Sequence, residues 1–247
     1  MLTVYLHPRC SDSWHVYKLL EKNSLLELVK LANTEQNPLL ALSKSIFSVP
    51  AFELSGKVVL QGYFTDEEVI SLVRSGKIYV GSPEEALDRL MKSVFSSFLV
   101  ASAVYLSGSF SVLLDARDYV YSASGALFLP EHETFLELAR SKLKAATLGE
   151  HDEKYFVRII AGNFIRDLYW LRGEPLDRST VENLGYSYFR EWMLLRSSLG
   201  RVFVPHSRPP AHVEEKVRRA WEYTLDRADT IIARVVEEQA SIPDGWV

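Results

Sequence analysis

The chain contains one cysteine, Cys10, among 247 residues. A single thiol excludes an intrachain disulfide, a four-cysteine metal site and the small disulfide-stapled secreted class. It also excludes redox chemistry between two cysteines of the same chain. A basic excess is missing too. Lys and Arg number 28 against 32 Asp and Glu, a net charge of -4, whereas general binding to phosphate backbones needs the opposite sign. No nucleic acid partner is expected. The start, Met1-Leu2-Thr3-Val4-Tyr5-Leu6, lacks the basic residues and long apolar stretch of a secretory signal, so a cytoplasmic protein is expected. Neither an internal repeat nor a low-complexity segment is present.

One run, Ser93 to Leu114, has no charged residue and is long enough to span a bilayer. Its many serines and Gly108 leave it only moderately hydrophobic, which predicts a buried helix of a soluble bundle and no membrane association. Hydrophobic residues at 47% and charged residues at 24% are the composition of a folded globular protein. The length exceeds the usual single domain of roughly 100 to 200 residues, so two domains are expected.

Along the first part, Thr3 to Leu6 has the character of a buried strand and ends at the turn His7-Pro8-Arg9-Cys10. Apolar residues at helical spacing from Ser11 predict a helix stopping near Asn23, and Leu26 to Leu31 predicts a second strand. Pro38 to Leu42 predicts a short helix. Ala51 to Leu54 and Val58 to Leu60, joined through Ser55-Gly56-Lys57, predict a hairpin. Thr65-Asp66-Glu67-Glu68 is a capped acidic helix start, with a stop at Gly76. The expected order is β-α-β-α-β-β-α.

The remainder predicts helices with few strand signals. Pro83 to about Leu106 reads as one helix, followed by Glu131 to Leu148 and Lys154 to Leu171. Ser179-Thr180-Val181-Glu182 predicts a capping box opening a helix to about Leu199, and Val213 to Glu238 predicts one long final helix. Two domains follow, 1-78 and 83-247.

The order of elements, a cysteine at the first helix start and Val49-Pro50 before the third strand resemble the glutaredoxin and thioredoxin family over about Met1 to Gly76. The resemblance implies an α/β thioredoxin (glutaredoxin-like) fold with a mixed sheet, followed by an all-α domain. It implies Cys10 as the nucleophile, Val49 and a cis Pro50 facing the thiol, and Gly62, Thr65 and Asp66 where glutaredoxins hold the γ-glutamyl group of glutathione. The whole chain is similar to glutathione transferases in layout only. The turn Cys10-Ser11-Asp12-Ser13 departs from the dithiol pattern by carrying Ser13 in place of the second cysteine. Further departures are Ser11 where proline is common, His7 in place of lysine, and Tyr63 after Gly62.

A helix N-terminus favours the thiolate through its unsatisfied N–H groups and macrodipole, and Ser13 lies close enough to donate to the sulfur. Arg9 and His7 add positive potential, and the Asp12 carboxylate works against it. With no partner cysteine, a cycle at Cys10 needs an external thiol, glutathione or another low-molecular-weight thiol, as co-substrate. No further cofactor and no metal is required. Capping alone also explains Thr65-Asp66, and the alternative for Cys10 is a small, partly buried structural residue.

Two functions stay open. One is a monothiol oxidoreductase or thiol transferase acting on a small thiol or a protein disulfide. The other is a non-catalytic thioredoxin-fold protein serving as a binding or assembly module; either is compatible with a homo-oligomer. His132 and His151, each among acidic residues, are read as solvated helix ends in preference to metal ligands, and His206 and His212 as loop residues. Arg158, Arg166, Asp167, Tyr169, Trp170 and Arg172 crowd one helical stretch, either as a ligand site or as an ion-paired face.

Overall fold

Strand β1 (Leu2–Leu6) is apolar at nearly every position because it is central in its sheet, with Leu2, Val4, Tyr5 and Leu6 buried. The computed structural model describes residues 1–173, 176–198 and 210–247. In it β1 lies between β2 (Val29–Asn33), which runs parallel, and β3 (Ala51–Leu54), which runs antiparallel, with β4 (Lys57–Gln61) at the far edge. The mixed four-stranded sheet has the order β2-β1-β3-β4. Val4 sits opposite Leu31 on one side and Phe52 on the other. The β3–β4 hairpin turns through Ser55 and Gly56, both at positive φ, as a tight hairpin requires.

Helices α1 (Ser11–Lys22), α2 (Pro38–Ser43) and α3 (Asp66–Ser75) complete this part. The strand expected at Leu26 to Leu31 begins later. Leu26–Leu28 is a 3-10 turn, because the chain is still winding out of α1: Leu25 N–H donates to the Leu20 carbonyl and Leu28 N–H to the Leu25 carbonyl. Those donors are consumed locally, so pairing with β1 starts at Val29.

The chain divides into two compact units. The first comprises Met1–Ser97, Leu113–Ala146 and Ser241–Val247. Besides the sheet and its helices it holds α4 (Pro83–Ser96), α6 (Arg117–Ser124) and α7 (His132–Ala145). The single helix expected from Pro83 to about Leu106 ends at Ser97, which takes extended backbone angles and whose hydroxyl donates to the Phe47 carbonyl (3.0 Å). Helix α5 (Phe98–Ser107) follows, with Val100, Ala101, Val104, Tyr105 and Leu106 buried. Among the described residues no single helix is long and apolar enough to cross a membrane.

The second unit, Phe98–Val112 with Thr147–Ala240, is helical. It contains α5, α8 (Glu150–Arg172), α9 (Arg178–Ser198), α10 (Ala211–Asp226) and α11 (Ala228–Ala240). Its centre is aromatic: the Phe164 ring meets Phe189 and Trp192, each at 4.9 Å between centroids. The α9 start differs from the expected Ser179 box. Asp177 is the cap, its Oδ1 accepting from the Thr180 N–H (2.8 Å) and from the hydroxyls of Ser179 and Thr180. α9 is interrupted at Gly185, and its expected end at Leu199 lies outside the described residues. The expected final helix is two, broken at Arg227, whose N–H still reaches the Tyr223 carbonyl (3.1 Å).

Candidate functional site

Cys10 occupies the N-cap of α1 with extended backbone angles, and its side chain makes no capping hydrogen bond. The turn before it is closed by local bonds. Cys10 N–H donates to the His7 carbonyl (3.1 Å), Arg9 N–H to His7 Nδ1 (3.2 Å), and His7 N–H to the Ser13 hydroxyl (3.1 Å). Ser13 is fully buried. The residue Cys10 keeps some exposed surface, and its thiol donates to the Val49 carbonyl (3.7 Å).

Burial pushes the Cys10 thiol pKa up, and the Asp12 carboxylate pushes it the same way. The Ser13 N–H and hydroxyl and the Asp12 N–H pull it down without reversing the balance. The resting sulfur is therefore a protonated thiol facing a carbonyl, with three donors arranged for the thiolate that replaces it on deprotonation.

The carbonyl it faces belongs to the Val49-Pro50 peptide, which is cis. Gln61, at the end of β4 and wholly buried, holds the loop that leads there. Its Oε1 accepts from the N–H groups of Phe47 (2.9 Å) and Ser48 (3.3 Å), and its Nε2 donates to the Ser45 carbonyl (3.0 Å) and the Ser122 hydroxyl (2.7 Å). All the hydrogen-bonding capacity of the amide is thus engaged. Ser122 is on α6, and Ser97 grips the Phe47 carbonyl from the end of α4. Sequence reasoning missed Gln61 and Ser122. The available signal was a lone amide closing the apolar run Val58-Val59-Leu60.

The remaining sequence candidates lie at the entry to α3. Gly62 has φ of +82°, and a Cβ there would come within 2.6 Å of the Ser93 Cβ on α4. Both the backbone conformation and the close approach demand glycine. Ser93 also accepts the Tyr63 N–H (2.9 Å) and donates to the Ala123 carbonyl (2.8 Å). Thr65 caps α3 in a full capping box with Glu68, and Glu68 is in turn paired with the buried Arg89, whose Nε donates to the Ser124 carbonyl (3.2 Å). Asp66 meets His15 of α1 across 2.8 Å. Cys10, Ser13, Val49 and Pro50 therefore gather around the thiol. Gly62 and Thr65 are engaged with α4 and with the cap, and Asp66 ties α3 to the helix that Cys10 opens.

No family model, curated protein or solved structure matches the chain. Among the described residues no three His, Cys, Asp or Glu side chains converge in a way that could hold a metal ion. His132 opens α7 with its ring against Tyr121, His151 lies in the first turn of α8, and His212 in the first turn of α10. His206 is outside the described residues. Three residues of the crowded stretch of α8 pair within their own unit. Arg166 forks onto Glu238 (3.1 and 2.8 Å), Asp167 accepts from the Trp192 indole (2.8 Å), and the Trp170 indole donates to Gln239 (2.7 Å).

Proposed function

We propose that the chain is a one-thiol oxidoreductase or thiol transferase whose first domain is thioredoxin-like and whose nucleophile is Cys10. The observation that carries this reading is the Cys10 thiol at an uncapped helix start, 3.7 Å from the Val49 carbonyl, with Ser13 and Asp12 donors around it. The strand order β2-β1-β3-β4, parallel only between β1 and β2, supports the thioredoxin-like assignment.

In the cycle, Cys10 first loses its proton to solvent. The thiolate attacks one sulfur of a substrate disulfide; a Cys10–substrate S–S bond forms, the substrate S–S bond breaks, and the departing thiolate takes up a proton. An external small thiol, glutathione among the candidates, then loses its proton and attacks the substrate sulfur; a small-thiol–substrate S–S bond forms, the Cys10–substrate S–S bond breaks, and Cys10 returns as thiolate. The electrons come from that thiol, because the chain has no second cysteine. Ser13 supports the thiolate through its hydroxyl and N–H, and the cis Val49-Pro50 peptide lies beside the sulfur where an incoming disulfide would approach.

One observation favours a second reading, a non-catalytic binding or assembly module: burial and Asp12 hold the thiol pKa above its ordinary value. Titration of the single cysteine with a chromogenic disulfide, followed by turnover of a mixed disulfide with glutathione, separates the two. Exchange that disappears in Cys10→Ser is the expected result. A folded protein with no Cys10-dependent exchange would leave the module reading.

A further inference from the structure

The residues Ser241–Val247 belong to the first unit, and Trp246 among them packs on α1 beside the thiol turn. The Trp246 ring packs on Trp14 and on Tyr17, each at 5.2 Å between centroids, while Trp14 and Tyr17 stack on one another. The Trp246 indole N–H donates to the Pro8 carbonyl (2.7 Å), inside the turn His7-Pro8-Arg9-Cys10. A second anchor is the Asn33 side chain at the end of β2, which donates to the Val247 backbone carbonyl (3.2 Å).

These contacts have an uneven character. The N–H bonds that close the turn, at His7, Arg9 and Cys10, are made among residues 7 to 13, and the turn is tied outward by the Arg9–Glu35 ion pair (3.5 Å), by the Cys10 thiol on the Val49 carbonyl and by the Trp246 indole on the Pro8 carbonyl. Yet no residue of 241–247 is buried: Ser241, Pro243, Asp244 and Gly245 are exposed, and Ile242, Trp246 and Val247 are half-buried. A segment with no buried residue, held at Trp246 by its indole bond and its two ring contacts and at Val247 by the Asn33 amide, opens at far lower free energy than the fold unfolds.

We propose that Ser241–Val247 is a latch on the thiol turn, with Trp246 as the positioning residue that fixes the Pro8 carbonyl and so keeps Cys10 turned toward Val49. Latched, the turn keeps every bond just described, the thiol's bond to the Val49 carbonyl among them. Released, the turn loses the Trp246 restraint and the sulfur leaves the Val49 carbonyl more readily for an incoming disulfide. This regulation rests on Cys10 being the reactive group, and it makes access to that group a property of a distant part of the chain.

The test measures alkylation of Cys10 by iodoacetamide in the full chain, which needs no disulfide turnover and has one thiol to report. Trp246→Ala removes ring and donor; Trp246→Phe keeps an aromatic ring and removes only the N–H. Loss of one net hydrogen bond shifts a local opening by about threefold to tenfold. Trp246→Phe should therefore alkylate faster by that factor and Trp246→Ala faster still, with thermal midpoints within about 5 °C of the parent. Asn33→Ala, acting at the other anchor, should accelerate alkylation in the same direction.

Unchanged alkylation in Trp246→Ala overturns the latch. A large fall in thermal midpoint on Trp246→Phe or Asn33→Ala also overturns it, because the segment would then be part of the folding core. If the variants accelerate alkylation but no protein turns over a mixed disulfide, the oxidoreductase reading fails and the latch stands.

Discussion

Two helix starts in the same unit have been built in opposite ways. At α3 the Thr65 hydroxyl and the Glu68 carboxylate satisfy each other's backbone N–H groups, and Arg89 holds Glu68 from α4. At α1 the N-cap residue is Cys10, whose side chain caps nothing. The first arrangement consumes its donors for stability. The second leaves donors directed at a sulfur, which stabilises the fold less and partly offsets the burial and the Asp12 charge that disfavour a thiolate. The difference teaches that a strong capping sequence spends a helix start's donors on stability, and that a start without it leaves them for another acceptor.

The contrast is broken most completely by Cys10→Ser. All alkylation and exchange should vanish, while the new hydroxyl supplies the missing cap and adds about 0.5–1 kcal/mol of stability; urea unfolding and a thiol assay read both. Next in size is Asp12→Asn, which removes the carboxylate that helps hold the thiol protonated. Iodoacetamide at neutral pH should react several-fold faster with this variant, and a slower reaction would contradict the electrostatic account. At α3, Thr65→Ala should cost about 1 kcal/mol in urea unfolding and leave the alkylation rate of Cys10 unchanged.

The smallest effect is in the pH dependence of stability. The raised folded-state pKa of Cys10 means that the folded chain binds this proton more tightly than the unfolded chain. That contribution is whole below the unfolded thiol range, about 8.5, and is lost as pH rises from there through the folded-state value. Urea midpoints of the parent should fall relative to Cys10→Ser over this window. Parallel curves would mean that the thiol environment is the same folded and unfolded.

Local chemistry made much of the first unit legible. The hairpin through Ser55-Gly56, the Thr65 cap, the Gly76 stop and the Cys10 turn are each written within a few adjacent residues, and each occurs where expected. What escaped was decided at a distance. The break at Ser97 depends on a carbonyl at Phe47, and the shift of β2 on bonds back to α1. Helix α6 carries no strong start signal, since Ala116 makes no side-chain cap, so its partnership with Gln61 was invisible. The paired helices α10 and α11 kept one amphipathic pattern through their break, and periodicity alone does not register a single residue such as Arg227 leaving the helix.

The contact of Gly62 with Ser93 binds two positions thirty-one residues apart into one heritable unit. A side chain at 62 becomes acceptable only if 93 has already lost its own, and the backbone angle at 62 penalises even that route. Drift at either position is therefore conditional on the other, so a lineage that wanted a roomier entry to α3 would have to alter α4 first.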